Sequence, residues 1–519
     1  MPSNPVLPGF HPDPSVCRVG ETFYLTTSSF EYFPGLPLYR SENLADWEPI
    51  GHALTRESQL DTRDARASGG IFAPTLREHE GTVYLTSTNT SGGGHFVVTA
   101  DDPAGEWSDP TYVDAPGIDP DLFWDGDACY FTYFTTDDDR RVEQAEIDLE
   151  TGELGEGYTV WTGHEDPNAE APHLYERDGT YYLVVAEGGT STGHSVMVGR
   201  SDDPTGPFEP HPENPILTHR RDFHHDVHAA GHADFVTDAD GNWWLVCLGT
   251  RPRGGFPGWH HLGRETFLAP VAWEGGWPVV AGEALPTEID GAALPGDGGA
   301  ATTESAGRSG PAPVEHTDTD FSEGRGHEFL YRRTPDRDRY AFTDGGLVLR
   351  GGPESLDERG TTLLCRRQTN FDCRIRADLA FDPDPGEEAG LALVMDEQHH
   401  YEVGVVPADD GDGDRGDTGD GDADRAEAVV RLTIGDATDV LAREPVDERV
   451  SLGVDATAES YEFRVDGEVV ADARPKYLAT EVAGGFTGVV VGPYAVADGG
   501  PAAATPARVE RFRYEPADR

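Results

Sequence analysis

The sequence predicts an all-β protein built in two parts. Two observations carry this reading. The first half repeats one hairpin pattern five times. The second half, beyond a stretch poor in bulky residues, alternates apolar and polar residues over many short runs. Composition agrees: 63 Gly and 39 Pro supply turns, and the runs between them favour β-branched and aromatic residues. At 519 residues the chain is long enough for two or more cores, and 37% hydrophobic residues suffice to fill them.

The repeated unit appears in five segments: DPSVCRVGETFYLTTS from Asp13, APTLREHEGTVYLTST from Ala73, DPDLFWDGDACYFTYF from Asp119, APHLYERDGTYYLVVAE from Ala171 and HADFVTDADGNWWLVCLG from His232. Each opens on small, Pro or polar residues and runs into an apolar strand. A glycine turn follows, then a second strand rich in aromatic or β-branched residues. Gly20, Gly81, Gly126, Gly179 and Gly241 occupy the turns, where a positive φ costs glycine nothing. Five such units about 45–60 residues apart predict a five-bladed β-propeller. The first strand of each blade lines the central channel, so the residues opening the hairpins converge: Asp13, Ala73, Asp119, Glu170 with Ala171, and His232. Taken alone, the Asp-Pro of HPDPS is an ordinary turn and Glu170 a loop acid. The shared register makes three carboxylates and a histidine candidates for chemistry.

Residues 291–315, GAALPGDGGAATTESAGRSGPAPVE, read as a linker, leaving 1–290 as the propeller. From His316 the β pattern resumes in GLVLRG, CRIRADLAF, AGLALVM, RVSLGVD and YEFRVDG. Such alternation belongs to half-buried antiparallel strands and predicts a β-sandwich over 316–519. ADDGDGDRGDTGDGDADRAE interrupts two of these strands. It lacks the flanking helices, the spacing and the closing Glu of an EF-hand loop, and reads as a solvated acidic insertion.

Charge narrows the partners. There are 96 Asp and Glu against 39 Lys and Arg, a net charge of −57, and Lys476 is the only lysine. Nucleic acid and anionic membrane are excluded as partners for such a surface. The acid is spread along the chain, which points to adaptation to high salt, where the Debye length falls to about 3 Å at 1 M. A halophilic, salt-accumulating source is the expectation. No apolar run is long enough to span a membrane, and MPSNPVLPGF lacks the basic start and apolar core of a signal peptide. The five cysteines form no CxxC and are expected to be buried free thiols in a reducing cytoplasm. HHDVHAAGHAD gathers His224, His225, His228 and His232, but without a nearby cysteine or an HExxH helix it does not read as a zinc site.

NPVLPGFHPDPS, GIDPDLF, EAPHLYERDGTYYL, GHADF and LGRETFLAPV together resemble the β-xylosidases of glycoside hydrolase family 43, and the resemblance covers nearly the whole chain. It implies a five-bladed propeller and inverting hydrolysis of xylosides or arabinofuranosides. Position by position, it makes Asp13 the general base, Glu170 the general acid, and Asp119 the carboxylate that orients the acid and tunes its proton affinity. It makes Arg264 a sugar-hydroxyl ligand and Phe30 an apolar wall of the sugar pocket. Phe72 stands where the family often has Trp. His232 matches a histidine near the channel axis which, in some members, helps hold a divalent cation, usually calcium, through water; no cofactor is required. RRQTNFDCRIRADLAFDPDPGEEAGLAL and YLATEVAGGFTGVVVG resemble the concanavalin-like sandwich that follows the propeller in this family. There a loop places a phenylalanine at the pocket mouth, and Phe486 matches it. Such a lid would admit only chain ends.

The chemistry needs these groups. Glycosidic cleavage passes through an oxocarbenium-like state, with an acid protonating the leaving oxygen and a base activating water on the opposite face. The expectation is therefore an exo-acting, inverting β-xylosidase working on small xylooligosaccharides, with α-L-arabinofuranosidase or a bifunctional enzyme as the near alternative. A sugar-binding propeller without catalysis would need no matched acid and base, so Asp13, Asp119 and Glu170 together speak against it. A homo-oligomer is compatible with the sequence.

Overall fold

The computed structural model describes residues 2–280, 284–296, 316–408 and 426–517. These fall into two compact units. The first holds residues 2–252 and 263–296; the second holds 253–262 and 316–517. Of the expected linker, residues 291–296 form turns and the rest lies outside the described residues, as does most of the acidic insertion, 409–425.

The first unit is a five-bladed β-propeller. Its blades are antiparallel sheets whose inner hairpins are the five repeats. The innermost strands are Ser15–Val19, Thr75–His79, Ile118–Asp125, Glu170–Arg177 and His228–Thr237. All five turn glycines have positive φ, between 60° and 85°. The outer strands are short, as in Thr111–Val113 and Glu209–Pro210. The core lies between blades. Leu122 and Phe131 of the third blade pack with Val97 and Val113 of the second, while Leu174, Leu183 and Val185 of the fourth pack with Val142 and Trp161 of the third. Burying such side chains stabilises by about 1.5–3 kcal/mol each.

The ring closes non-covalently. Before entering the first blade, the N-terminal segment runs along the fifth: Val6 and Leu7 donate to the Thr266 carbonyl, and Thr266 N–H donates to Leu7. The Asn4 side chain donates to the carbonyls of Leu268 and Pro286. Val6 and Leu7 then join a core with Val16, Phe23 and Trp47 of the first blade and Trp244, Val246 and Leu268 of the fifth.

A buried polar layer ties the inner strands to each other. Arg77 of the second blade contacts Asp121 of the third and Asp234 of the fifth, both at 2.9 Å. Asp234 also accepts from Ser15 Oγ and Val16 N of the first blade and from Tyr175 Oη of the fourth. Asp121 accepts from Leu174 N. Both carboxylates are fully buried, and Arg77 outweighs burial to hold Asp234 well below the usual carboxylate range.

The second unit is a sandwich of two antiparallel sheets. One runs Tyr340–Thr343, Gly346–Leu349, Ala507–Pro516, Cys373–Ala380, Arg449–Ala456, Tyr461–Val465 and Glu468–Ala473. The other runs Phe329–Arg332, Thr362–Arg367, Val490–Ala497, Glu387–Val394, His399–Pro407, Ala426–Ile434 and Ala437–Val446. Cys17, Cys129, Cys247, Cys365 and Cys373 are all buried. No described helix is long and apolar enough to cross a membrane.

Candidate active site

Around the start of the inner strands the backbone bends sharply. The ladder slips register between Ile118 and Asp121, Glu170 and His173, and His228 and Gly231. Asp119 (φ 56°), Ala171 (52°), Ala229 (52°) and His232 (50°) take left-handed conformations there, and Asp13 (56°) does so just before its strand. Asp and His tolerate this region better than most residues, and a bulge re-aims the side chains beside it. The bends bring Asp13, Asp119 and His232 to the channel; in the fourth blade the alanine takes the left-handed position and Glu170 precedes it.

Asp13 is 6% exposed. Its Oδ2 accepts from Ser28 Oγ at 2.6 Å. Its Oδ1 lies 3.5 Å from Arg264 Nη1 and 3.5 Å from His232 Nδ1. Burial alone would raise its proton affinity, but Arg264, His232 and the Ser28 hydrogen bond outweigh it and hold Asp13 below the ordinary carboxylate value. The other two acids move the opposite way. Asp119 is buried and accepts from Ala171 N–H at 3.1 Å, which joins the third and fourth blades. Burial and the negative charges of Glu170 and Asp13 push it well above the usual range. Glu170 is half-buried and is also raised, by burial and then by Asp13, against Arg264 and Arg140. The site thus sets one carboxylate of lowered proton affinity beside two whose affinity is raised.

Arg264 is 8% exposed; it donates to Thr190 Oγ1 at 2.8 Å and lies 6.0 Å from the Phe30 ring centroid. Phe30 is buried and meets the half-buried Phe72 edge-on, with centroids 5.6 Å apart. Phe30 exchanges backbone hydrogen bonds with Ile71. The approach requires glycine at Gly70, where an added Cβ would fall 2.3 Å from the Phe30 carbonyl oxygen. His232 is buried, and desolvation takes its pKa down to about 3, so the ring is neutral. Among the described residues no group of three His, Cys, Asp or Glu side chains is arranged to hold a metal ion. The chemistry derived below uses the side chains alone. Phe486 belongs to the second unit, half-buried between the short helix Thr480–Ala483 and the strand Val490–Ala497.

Three contributors were missed in the sequence. Ser28, in TTSSF, reads as strand-end polarity, yet it supplies the hydrogen bond to Asp13. Thr190 and His194 lie beyond the glycines of EGGTSTGH. His194 is buried, with Nδ1 3.1 Å from the Ala229 carbonyl, and it packs so closely on Gly231 that a Cβ there would fall 2.5 Å from its ring. The one available signal was the Gly-Gly after a hydrophobic strand, which marks a close approach rather than a role.

Residues 2–278 match the family described as Glycosyl hydrolases family 43, and residues 318–515 match the Beta xylosidase C-terminal Concanavalin A-like domain. The chain is 37% identical to a non-reducing end alpha-L-arabinofuranosidase of Bacteroides ovatus over 513 residues, covering 96% of this chain and 91% of that protein. It is 41% identical to a xylosidase/arabinosidase of Butyrivibrio fibrisolvens over 430 residues, covering 79% and 80%. The solved structure of a xylan beta-1,4-xylosidase from Bacillus halodurans superposes with a TM-score of 0.88 at 30% identity, covering 99% of this chain and 100% of that one.

Proposed function

The chain belongs to glycosyl hydrolase family 43, and on that premise we propose that it is an exo-acting, inverting β-xylosidase releasing xylose from the non-reducing end of short β-1,4-xylooligosaccharides. The observation that carries the proposal is the gathering of three buried or half-buried carboxylates at one spot: Ser28, His232 and Arg264 surround Asp13 and lower its proton affinity, while burial raises that of Asp119 and Glu170. Acid and base assignments follow from such divergence. Glu170 donates its proton to the leaving oxygen. Asp13 takes a proton from the water that attacks the anomeric carbon from the other face. Asp119 and Glu170 disfavour a second negative charge between them, so the pair keeps one proton for Glu170 to deliver. Arg264, anchored by Thr190, fixes the sugar hydroxyls, and Phe30 with Phe72 supplies the apolar wall. For inversion the carboxyls of Asp13 and Glu170 stand roughly 6.5–9.5 Å apart in the working complex, leaving room for the water. No cofactor is required by this chemistry, and a divalent cation, calcium above all, held through water near His232 is compatible with it. The enzyme acts in the cytoplasm of a salt-accumulating cell, on oligosaccharides already imported.

A second reading, α-L-arabinofuranosidase or a dual activity, is favoured by the names of the two curated relatives above. The same acid and base serve both sugars. NMR of the xylose first released from an aryl β-xyloside tests the proposal: α-xylose is expected, β-xylose would overturn inversion, and turnover of aryl arabinofuranoside without aryl xyloside would install the second reading. Glu170→Ala should nearly abolish hydrolysis of xylobiose, with partial recovery by azide on an activated aryl glycoside. Undiminished hydrolysis would remove Glu170 from the mechanism.

A further inference from the structure

Glu187 ends the second strand of the fourth blade, Thr180–Glu187, directly before Gly188 and Gly189. It is 1% exposed. Its carboxylate accepts four hydrogen bonds: Oε1 from Trp161 Nε1 at 3.0 Å and His164 N at 2.7 Å, Oε2 from Glu165 N at 2.8 Å and Asp166 N at 3.1 Å. Three consecutive backbone N–H groups thus converge on one buried carboxylate, the arrangement of an anion nest with the anion supplied by the chain itself. Those N–H groups belong to the segment joining the outer strand Tyr158–Trp161 of the third blade to Glu170. Glu170 pairs in register with Ala186, the residue beside Glu187. Two further side-chain ties from the segment to its surroundings are exposed: Arg220 to Glu165, and Arg140 to Asn168.

We propose that Glu187 is a positioning residue for the proton donor, its carboxylate fixing the segment that delivers Glu170 to the channel. The proposal rests on reading Glu170 as the donor. It also accounts for the EGGT sequence, since the turn after Glu187 carries Thr190 to Arg264. One short stretch holds both the donor's approach and the arginine that faces Asp13. The charged groups facing Glu170 are Asp13, Asp119, Asp166, Arg264 and Arg140. Of these, Asp166 sits on the segment that Glu187 holds.

Glu187→Gln keeps the shape but sets an NH2 group against N–H donors. A correctly placed general acid contributes about 10²–10⁴-fold, and a small displacement forfeits much of it, so kcat for xylobiose should fall about 30–100-fold with KM within about twofold. A 2,4-dinitrophenyl glycoside hardly needs the acid and should lose less than about threefold. As Asp166 moves away from Glu170, the basic limb of the pH profile should shift to lower pH. Glu187→Asp, which keeps the charge but shortens the reach, should show the same selectivity if the glutamine variant does not fold. Equal losses on both substrates, or none, overturn the proposal. Glu170→Gln is the control: if it too loses both activities equally, the assignment of Glu170 fails and not that of Glu187. Aryl arabinofuranosides replace xylosides if that is the preferred sugar.

Discussion

Replacing Ser28 by alanine should move the acid side of the pH profile. Ser28 is fully buried, and its hydroxyl donates to Asp13 Oδ2 at 2.6 Å. A hydrogen bond to a charged group stabilises by about 1.5–3 kcal/mol. At about 1.4 kcal/mol per pKa unit, its loss raises Asp13 by about 1–2 units while Arg264 and His232 stay in place. In the proposed mechanism ionised Asp13 is the base, so raising its pKa removes active enzyme at acid pH first. The acid limb of kcat/KM should therefore climb by about 1–2 pH units, with a much smaller change at neutrality. Stability follows the same sign. A carboxylate whose folded pKa is depressed lends stability that is present above its unfolded value and is lost as pH falls through the folded value. The variant lends less of it. Initial rates on an aryl glycoside across the acid range, with circular dichroism to confirm the fold, give the answer. An acid limb that stays within a few tenths of a unit in a folded variant would falsify Asp13 as the base.

Three further outcomes are expected. Arg77→Met leaves Asp121 and Asp234 buried without their cation and should cost about 3–5 kcal/mol in urea unfolding. Because Arg77 depresses Asp234, that deficit should shrink as pH falls and Asp234 protonates; a deficit constant with pH would contradict the pairing. Gly70→Ala, at φ 85° with a Cβ 2.3 Å from the Phe30 carbonyl oxygen, should cost about 1–3 kcal/mol and raise KM by displacing Phe30; an unchanged melting temperature and KM would show that the backbone gives way freely. The melting temperature should rise steeply with potassium chloride into the molar range, as screening relieves a net charge of −57; a salt-independent value would leave the acidic surface without that explanation.

The inner hairpins were legible because each strand is apolar, short and bounded by a glycine that needs positive φ. The outer strands were not: Thr111–Val113 and Glu209–Pro210 are too brief to show a period. The clustering of Asp13, Asp119, Glu170 and His232 was legible because one repeated register places their counterparts at one spot. The layer beneath was only half legible. Ser15, Arg77, Asp121, His173 and Asp234 fall close behind the hairpin starts and read as polar interruptions of apolar strands. Their mutual contacts arise only once five blades surround one axis, which no local pattern encodes. Glu187 was hidden for a related reason. A glutamate at a strand end before Gly-Gly looks solvent-facing, and only the fold brings three amide groups over it.

The way the ring is fastened has a consequence for synthesis. Asp13 leaves the ribosome early, while Arg264 and the strand that receives the N-terminal segment emerge only with the last blade; His11 N–H donates to the Arg264 carbonyl, and Thr266 bonds to Leu7 and to His11. A nascent chain therefore carries Asp13, the base of the proposed mechanism, without the Arg264 charge that faces it. On the proposed mechanism, hydrolytic power then arrives in one event, when the first and last segments clasp.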